Sequence, residues 1–454
     1  MASKFKVIEH TIPCQSIREY PRAMQEHASV SALRLAVKQY IPLDNTTPSP
    51  NDITIIAGHA NGIPKECYEP LWEELLSSLT NVKIKAIWVA DCAHQGASGI
   101  LNEGILGDDP SWFDHSRDLL LMVNHFREQI QPPIVGVAHS FACAQFVHLS
   151  ISHPSLFKTL IFLEPMIQRE PPAPPGGRNP ALWTSTRPDR WPSLQEAEAY
   201  IRRNPSWRRW DARCLERYIT FGLRRSRQTE TPRRDPPASP STTTTPPGSG
   251  PVTLTTSKAQ ESWTFLRHNG AAPGSSEDND DDDDDNYEAD YRSAAPWPSI
   301  AFEYLAYLRP SVLYVFGSRS QINVPARRED KVRRTGGGIG GGRDGVADSG
   351  AESVSVMGEV VEGSSHMFPL EKMGETARVV ASWVEGQIEG FSSDGSGWGV
   401  QDDGGVKSVR RGEGTVLGLS ERWMKDVKQP LRGKSSSRSN STEFTPADGW
   451  VIQS

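Results

Sequence analysis

Three widely separated residues, Ser140, Glu164 and His366, have the side chains needed for nucleophilic catalysis at an acyl group. A serine hydroxyl becomes an effective nucleophile when an imidazole accepts its proton and a carboxylate orients that imidazole. The chain order serine, acid, histidine is one of the orders in which such a triad occurs. These residue types therefore predict attack on a carbonyl carbon and a covalent acyl intermediate.

The segment around Ser140 has the form of a nucleophile elbow, a sharp turn between a strand and a helix. It follows the apolar run Ile134–Val137 and precedes the helix-compatible segment Cys143–Leu149. In the usual pattern, glycines two residues before and after the serine let the strand and helix approach closely. Here Ala138 and Ala142 occupy those positions, so the small side chains are kept. We therefore expect Ser140 to be the nucleophile.

The predicted base is His366, which follows the last predicted strand and precedes an amphipathic helical pattern. A histidine on the loop after the last strand can reach a serine at the same edge of a parallel sheet. His148 and His153 are poorer candidates, because they lie too near Ser140 along its own helix to fold back onto it.

The predicted acid is Glu164, at the tip of the sixth predicted strand. The commoner position follows the seventh strand, but the segment Phe316–Ser320 contains no carboxylate. Asp330 comes later and is the alternative acid. A carboxylate at the tip of a neighbouring strand can reach the imidazole Nδ1, so we prefer Glu164. The competing interpretation is a strand-end carboxylate that caps the next turn.

The loop Gly58–Gly62, after the third predicted strand, is the candidate oxyanion hole. It has the form of a His-Gly type turn whose backbone N–H acts together with the N–H of the residue after the nucleophile. The predicted donors are therefore the backbone N–H groups of Asn61 and Phe141. An ordinary Asn-Gly turn is the competing interpretation.

Alternating apolar runs and helical patterns predict the elements that position these residues. The first two strands are expected to be antiparallel and the others mainly parallel, because helices separate them. The predicted strands are 6–12, 33–40, 53–57, 83–89, 134–138, 159–163, 312–316 and 353–361, and the predicted helices are 69–79, 112–126, 142–152 and 370–388.

Composition divides the chain into four parts. Residues 1–165 and 310–390 form the two parts of the predicted core, and 166–309 is a helical cap inserted after the sixth strand. The cap contains a low-complexity insert at about 226–298, although Val252–His268 has the pattern of an ordered segment. Residues 391–454 form a low-complexity tail. Such Pro-, Ser- and Asp-rich sequence buries too little apolar surface to offset chain entropy.

Charge and cysteine content exclude several classes of protein. The net charge of −7 comes mainly from one acidic run, Glu277–Asp285. The rest of the chain is nearly neutral, so its charge does not indicate a nucleic-acid partner. The five cysteines are scattered without metal-ligand spacing, and we expect neither a metal nor another cofactor. We find no secretory signal or membrane-spanning run and no terminal peroxisomal tripeptide, and reduced thiols favour an intracellular location.

Together, Gly58–Gly62, Ala138–Ala142, Leu163–Pro165 and Gly363–His366 resemble the corresponding segments of the α/β-hydrolase fold. More narrowly, the chain resembles the fungal peroxisomal lipase-like and toxin-biosynthesis hydrolases. This resemblance implies a mainly parallel eight-stranded sheet flanked by helices, with a helical cap. It also implies a serine hydrolase that cleaves an ester or related acyl bond of a small lipid-like or secondary-metabolite substrate, in the cytoplasm or the peroxisome.

Two other functions are compatible with the same residues. The first is a non-catalytic protein of the same fold that binds partners through its low-complexity insert. The absence of an acid after the seventh strand is what makes this alternative possible. An acyltransferase that passes the acyl group to a metabolite would use the same triad as a hydrolase.

Overall fold

The computed structural model describes residues 4–26, 28, 32–170, 180–226, 250–267, 295–338 and 354–388. These residues form strands β1 (Phe5–Pro13), β2 (Arg34–Pro42), β3 (Ile53–Gly58), β4 (Ile84–Ala90), β5 (Ile134–His139), β6 (Thr159–Leu163), β7 (Arg190–Trp191), β8 (Leu223–Arg225), β9 (Val252–Leu254), β10 (Ser311–Gly317) and β11 (Val356–Val361). The helices are α1 (Glu69–Ser78), α2 (Gly96–Leu101), α3 (Trp112–His125), α4 (Ala142–Ser152), α5 (Pro180–Thr186), α6 (Leu194–Arg203), α7 (Ala212–Phe221), α8 (Lys258–Phe265), α9 (Trp297–Tyr304), α10 (Pro325–Arg334), α11 (Phe368–Glu371) and α12 (Met373–Ile388).

Eight of these strands form the main sheet, in the order β1-β2-β4-β3-β5-β6-β10-β11. β1 is antiparallel to β2 and β2 to β4, and the remaining pairs are parallel. Every residue of β3, β5 and β6 is buried, as expected for central parallel strands covered on both faces. The predicted mainly parallel eight-stranded sheet with an antiparallel opening is therefore confirmed.

Helices cover both faces of the sheet because successive side chains of a strand point to opposite sides. Ile55 and Ile161 contribute to the core on one face, which also contains residues of α1 and α12. Ile56 and Phe162, one residue further along each strand, contribute to the core on the other face with α3, α4 and α9. The loops that follow the carboxyl ends of β3, β5, β6, β10 and β11 lie at one edge of the sheet and form the candidate site.

A helical insertion joins β6 to β10 and contains α5 to α9 together with the small sheet β7-β9-β8. It contacts the loops around the main sheet. The backbone N–H of Asp211 donates to the Leu370 carbonyl at 2.8 Å, and the Trp112 indole donates to the Thr264 carbonyl at 2.7 Å. Of the predicted ordered segment Val252–His268, the described part forms β9 and α8, whereas His268 lies outside the described residues.

The boundary predicted for the low-complexity insert differs from the structure. The insert was expected to continue to about 298, but Ala295 and Trp297 are buried and α9 begins at Trp297. The reason is aromatic packing: Trp297 stacks on Trp112, with ring centroids 5.4 Å apart. Residues 227–249 and 268–294 of the insert, and the tail 391–454, lie outside the described residues.

Within the described part of the chain, no helix is long and apolar enough to cross a bilayer.

Candidate active site

Ser140 lies in the tight turn between β5 and α4 and has a left-handed backbone conformation, with φ at 61°. A residue with a side chain adopts this conformation only under constraint. The constraint is visible here, since the Ser140 N–H donates to the Leu163 carbonyl at 3.0 Å and its carbonyl accepts from Cys143 N–H at 3.2 Å. The turn therefore has the geometry expected of a nucleophile elbow.

The alanine at position 142 is explained by a close contact with β3. A Cβ atom placed on Gly58 would lie 2.7 Å from the Ala142 Cβ and 2.9 Å from the Phe146 ring. The end of β3 and the first turn of α4 are therefore almost touching, and a larger side chain at 142 would force them apart. The local requirement is for a small residue, which alanine meets as well as glycine.

The structure brings the three predicted side chains together in one line. His366 Nε2 lies 2.9 Å from Ser140 Oγ, and His366 Nδ1 lies 3.0 Å from Glu164 Oε2. An ionised carboxylate can only accept, so the proton of a neutral His366 is on Nδ1. Nε2 is then free to accept the Ser140 hydroxyl proton. Glu164 is fully buried and the His366 side chain is 22% exposed, so the histidine is the member of the trio with access to solvent.

Four donors surround the Glu164 carboxylate. Besides His366, they are the Gly317 N–H at 2.6 Å, the Ser320 hydroxyl at 2.7 Å and the Asn323 amide at 2.9 Å. Burial is the strongest influence on the pKa of Glu164 and acts to raise it. The hydrogen bond from His366 and its electrostatic attraction act in the opposite direction, as do the hydrogen bonds from Asn323 and Ser320. Together they lower the pKa of Glu164 by more than burial raises it. Glu164 is therefore ionised at neutral pH.

Sequence reasoning missed Ser320 and Asn323 as parts of the site. The available signal was the loop after β10, where two polar side chains follow the strand tip that lacks an acid. Instead of a carboxylate, this loop supplies the donors for the carboxylate on the neighbouring strand. Buried charge requires such partners, since it is otherwise strongly unfavourable.

The alternative acid, Asp330, lies elsewhere. It is on α10, where its carboxylate accepts from Arg333 at 2.7 Å and lies 3.8 Å from Arg169. In the part of the chain that the structure describes, no hydrogen bond joins Asp330 to His366. The geometry therefore brings Glu164, and not Asp330, to the imidazole.

The two predicted oxyanion donors both have an available N–H group. Within the described residues, neither the Asn61 nor the Phe141 backbone N–H donates to a protein acceptor. Phe141 is the residue before α4, where the helix dipole favours negative charge. The Asn61 side chain is fixed by Gln95, which donates to it at 2.6 Å, and by its own bond to the Glu261 carbonyl at 3.0 Å.

Across the described ranges, no group of three or more His, Cys, Asp or Glu side chains is arranged to hold a metal ion.

Similarity to known proteins extends along most of the chain. A model of the alpha/beta hydrolase family matches residues 55–379, a range that includes Asn61, Ser140, Glu164 and His366. The chain is 36% identical over 447 residues to the type I acyl-CoA thioesterase mpaH of Penicillium roqueforti, covering 95% of this chain and 98% of the relative. It is 38% identical over 449 residues to the mpaH thioesterase of Penicillium brevicompactum, covering 95% and 97%.

Among solved structures, the peroxisomal alpha-beta-hydrolase Lpx1 of Saccharomyces cerevisiae aligns with a TM-score of 0.64 at 16% identity. The alignment covers 94% of this chain and 96% of the yeast protein, and at this identity it shows a shared fold. The predicted resemblance to fungal hydrolases of this fold is confirmed. The chain belongs to the alpha/beta hydrolase family and is a hydrolase enzyme of that family.

Proposed function

We propose that the chain is a serine hydrolase that cleaves an acyl thioester or ester bond with Ser140, His366 and Glu164. One observation carries the proposal, namely the pair of hydrogen bonds that joins Ser140 Oγ to His366 Nε2 and His366 Nδ1 to Glu164. The proposed base is within hydrogen-bonding distance of both the proposed nucleophile and the orienting acid, which is the geometric condition for an activated serine.

The first half of the reaction acylates the serine. Ser140 Oγ attacks the carbonyl carbon while His366 Nε2 accepts the hydroxyl proton, and Glu164 stabilises the imidazolium that forms. The Asn61 and Phe141 N–H groups bind the oxyanion of the tetrahedral intermediate. Collapse of the intermediate breaks the bond to the thiolate or alkoxide leaving group, which receives the proton from His366.

The second half releases the acid. A water molecule gives its proton to His366 Nε2 and attacks the acyl carbonyl carbon. The second tetrahedral intermediate collapses, Ser140 regains its proton from His366, and the carboxylic acid leaves. Glu164 stays ionised throughout, because its role is to hold the imidazole and stabilise its charged form.

For the substrate we favour an acyl-CoA thioester with a small lipid-like or secondary-metabolite acyl group. The support is the identity to two acyl-CoA thioesterases along nearly the whole chain. We further propose that the helical insertion caps this substrate. Helix α8 supports this idea, since the Glu261 carbonyl binds the Asn61 side chain on the candidate oxyanion loop. On this proposal the core comprises 1–165 and 310–390, the cap 166–309 and the tail 391–454.

The test is the Ser140→Ala variant, assayed with acyl-CoA substrates by release of free thiol and with a fluorophosphonate probe. We expect the variant to lose probe labelling and to lose at least about a thousandfold in kcat. The matched control is Ser152→Ala at the exposed end of α4, which should keep both activities. Hydrolysis by Ser140→Ala at the parental rate would refute the mechanism.

Two outcomes would favour the other functions. If the parent protein neither reacts with the probe nor hydrolyses any acyl substrate, a non-catalytic binding protein is favoured. If added alcohol or amine acceptors are acylated faster than water, the protein is an acyltransferase. Mass spectrometry of the products distinguishes these outcomes.

We also propose an intracellular location, in the cytoplasm or the peroxisome. The support is that all five cysteines are free and buried, which is typical of a reducing compartment. Fluorescent fusions at each terminus, imaged with cytoplasmic and peroxisomal markers, test the proposal. Recovery of the protein from the culture medium would contradict it.

A further inference from the structure

A line of three hydrogen bonds, two of them buried and the third partly buried, lies beside the Ser140, His366 and Glu164 trio. The Ala60 N–H donates to the Tyr68 hydroxyl oxygen at 3.0 Å, and that hydroxyl lies 2.6 Å from His139 Nδ1. On the other side of the same ring, His139 Nε2 lies 3.0 Å from the His366 backbone carbonyl oxygen.

Chemistry fixes the direction of each bond. The His366 carbonyl can only accept, so His139 Nε2 carries a proton and donates it. Burial lowers the pKa of His139 to about 3, so the ring is neutral and its Nδ1 has no proton. The Tyr68 hydroxyl must therefore donate to His139 Nδ1, and its oxygen accepts from Ala60. Only one arrangement of protons satisfies all four groups.

The line joins three segments of the chain whose relative positions must be fixed for the proposed reaction. Ala60 directly precedes Asn61, whose N–H is a proposed oxyanion donor. His139 directly precedes Ser140. The carbonyl at the far end belongs to His366 itself, so the line connects all three parts of the site through the backbone.

The middle of the line is rigidly held. Tyr68 is 2% exposed and His139 is 1% exposed. Tyr68 closes the short 3₁₀ helix Lys65–Tyr68, which is anchored by the buried Lys65 ammonium at 2.5 Å from Asp91 Oδ2. A buried and fully satisfied network of this kind fixes its members in one geometry, whereas removing one member leaves the others unsatisfied.

Resting on the function proposed above, we propose that Tyr68 and His139 are positioning residues. They hold the Asn61 N–H and the His366 imidazole at the places that the Ser140 reaction requires. Neither side chain needs to touch the substrate, because each acts through the backbone groups that it binds.

The principal test is Tyr68→Phe, which deletes one oxygen and leaves Ala60 N–H and His139 Nδ1 without partners. Fluorophosphonate titration counts the functional active sites, so kcat can be expressed per titrated site. We expect kcat per site to fall about 10- to 100-fold, as for small misplacements of catalytic groups, with KM within about twofold of the parent. A purely structural role would lower the number of sites and leave kcat per site unchanged.

The matched control is Tyr314→Phe. Tyr314 is also fully buried, and its hydroxyl bonds to Thr335 Oγ1 at 2.7 Å, outside the line. Both variants delete one buried hydroxyl, so thermal unfolding should report a loss of stability for each. Only Tyr68→Phe should lose kcat per site.

A second pair of variants examines the other member. In His139→Gln the amide can still donate to the His366 carbonyl, whereas His139→Leu cannot. We expect kcat per site of the Gln variant to be at least about tenfold higher than that of the Leu variant. The reason is that one hydrogen bond of about 1.4 kcal/mol corresponds to a tenfold change in rate. Equal values for the two variants would contradict the role of the donor.

The proposal is overturned if Tyr68→Phe keeps the parental kcat per titrated site or if Tyr314→Phe loses as much. Its failure differs from failure of the proposed function. If Ser140→Ala abolishes labelling while Tyr68→Phe remains fully active, only the positioning role is wrong. If Ser140→Ala remains active, the proposed serine mechanism itself is wrong.

Discussion

The carboxyl ends of β6 and β10 are neighbours that contribute opposite groups to the same site. Leu163 on β6 pairs with Val315 on β10, and one residue later the Glu164 N–H donates to the Val315 carbonyl at 2.8 Å. The β6 end supplies a buried carboxylate in a left-handed conformation, with φ at 49°. The β10 end supplies no carboxylate but three donors, from Gly317, Ser320 and Asn323.

This difference shows how the acid of a catalytic site can be placed on one strand end while the next strand end supports it. A buried carboxylate is favourable only if donors replace its lost water. Glu164 can therefore orient His366 because the loop after β10 compensates for burial. The two strand ends form one functional unit, and the following variants separate their contributions.

The largest expected effect is on the acid itself. Glu164→Gln keeps the size of the side chain but replaces an acceptor with an amide, which can stabilise the wrong tautomer of His366. We expect kcat to fall about 10³- to 10⁴-fold, as for the corresponding change in a serine protease triad. The measurement is kcat with an acyl thioester, with circular dichroism as the folding control. A loss below tenfold would mean that Glu164 is not the orienting acid.

The second effect concerns the contact between β10 and the His366 loop. A Cβ on Gly317 would lie 2.4 Å from the Ser365 carbonyl oxygen, so Gly317→Ala must displace the loop. We expect a loss of about 1–3 kcal/mol in the free energy of unfolding. The displacement should also reduce kcat about 10- to 100-fold.

The control for this steric effect is Gly358→Ala on the adjacent strand β11. A Cβ there would lie 3.3 Å from a Val332 methyl group, which can move slightly. Urea unfolding and kcat should both be closer to the parental values than for Gly317→Ala. Equal losses in the two variants would remove the special role assigned to the β10 end.

A smaller effect is expected from Ser320→Ala, which removes one donor from Glu164 Oε2 and so raises the pKa of Glu164. The loss in kcat/KM should be below about tenfold at neutral pH, the size of one modest hydrogen bond. This loss should grow as the pH falls, because Glu164 in the variant becomes protonated at a higher pH than Glu164 in the parent. The measurement is the pH profile of kcat/KM, with Ser311→Ala at the opposite end of β10 as control. Parallel profiles for parent and Ser320→Ala would contradict the support role.

The same lowered pKa has a consequence for stability. Since the folded pKa of Glu164 is below the ordinary glutamate value, ionisation stabilises the fold fully above the unfolded pKa. This contribution is lost as the pH falls through the folded pKa. The difference in unfolding free energy between parent and Glu164→Gln should therefore shrink over that acidic range. A difference that is constant with pH would contradict the lowered pKa.

The smallest effect is expected from Asp330→Asn. Asp330 forms surface ion pairs with Arg333 and Arg169, which are worth at most about 1 kcal/mol. We expect kcat within about twofold of the parent. A large loss of kcat would transfer the role of the acid from Glu164 to Asp330 and would break the comparison between the two strand ends.

Local patterns in the sequence were sufficient to predict the main sheet and the elbow. Apolar runs identify central strands such as β5 and β6 because both of their faces are buried. The small residue at position 142 indicates that α4 packs closely against β3, which a side chain larger than that of alanine would prevent. The break in strand and helix alternation predicted a helical insertion between β6 and β10. It did not predict that α9 begins at Trp297, because that depends on stacking with Trp112.

The support of Glu164 could not be predicted in the same way. Ser320 and Asn323 are 156 and 159 residues from Glu164 along the chain, and their types alone do not distinguish donors from ordinary loop residues. The Tyr68 and His139 line is similar, because its three bonds join segments that only the folded sheet brings together.

The sequence by itself predicted the alternating architecture, the proposed nucleophile Ser140 and the proposed base His366, because each is encoded by neighbours within a few residues. For the acid it favoured Glu164 and left Asp330 as the alternative. The tertiary structure brings Glu164, and not Asp330, to His366, since parallel pairing of β6 with β10 brings donors to Glu164 and Asp330 lies on α10 in ion pairs with Arg333 and Arg169. Hydrogen bonds between distant segments depend on which strands become neighbours, and that is a property of the whole fold.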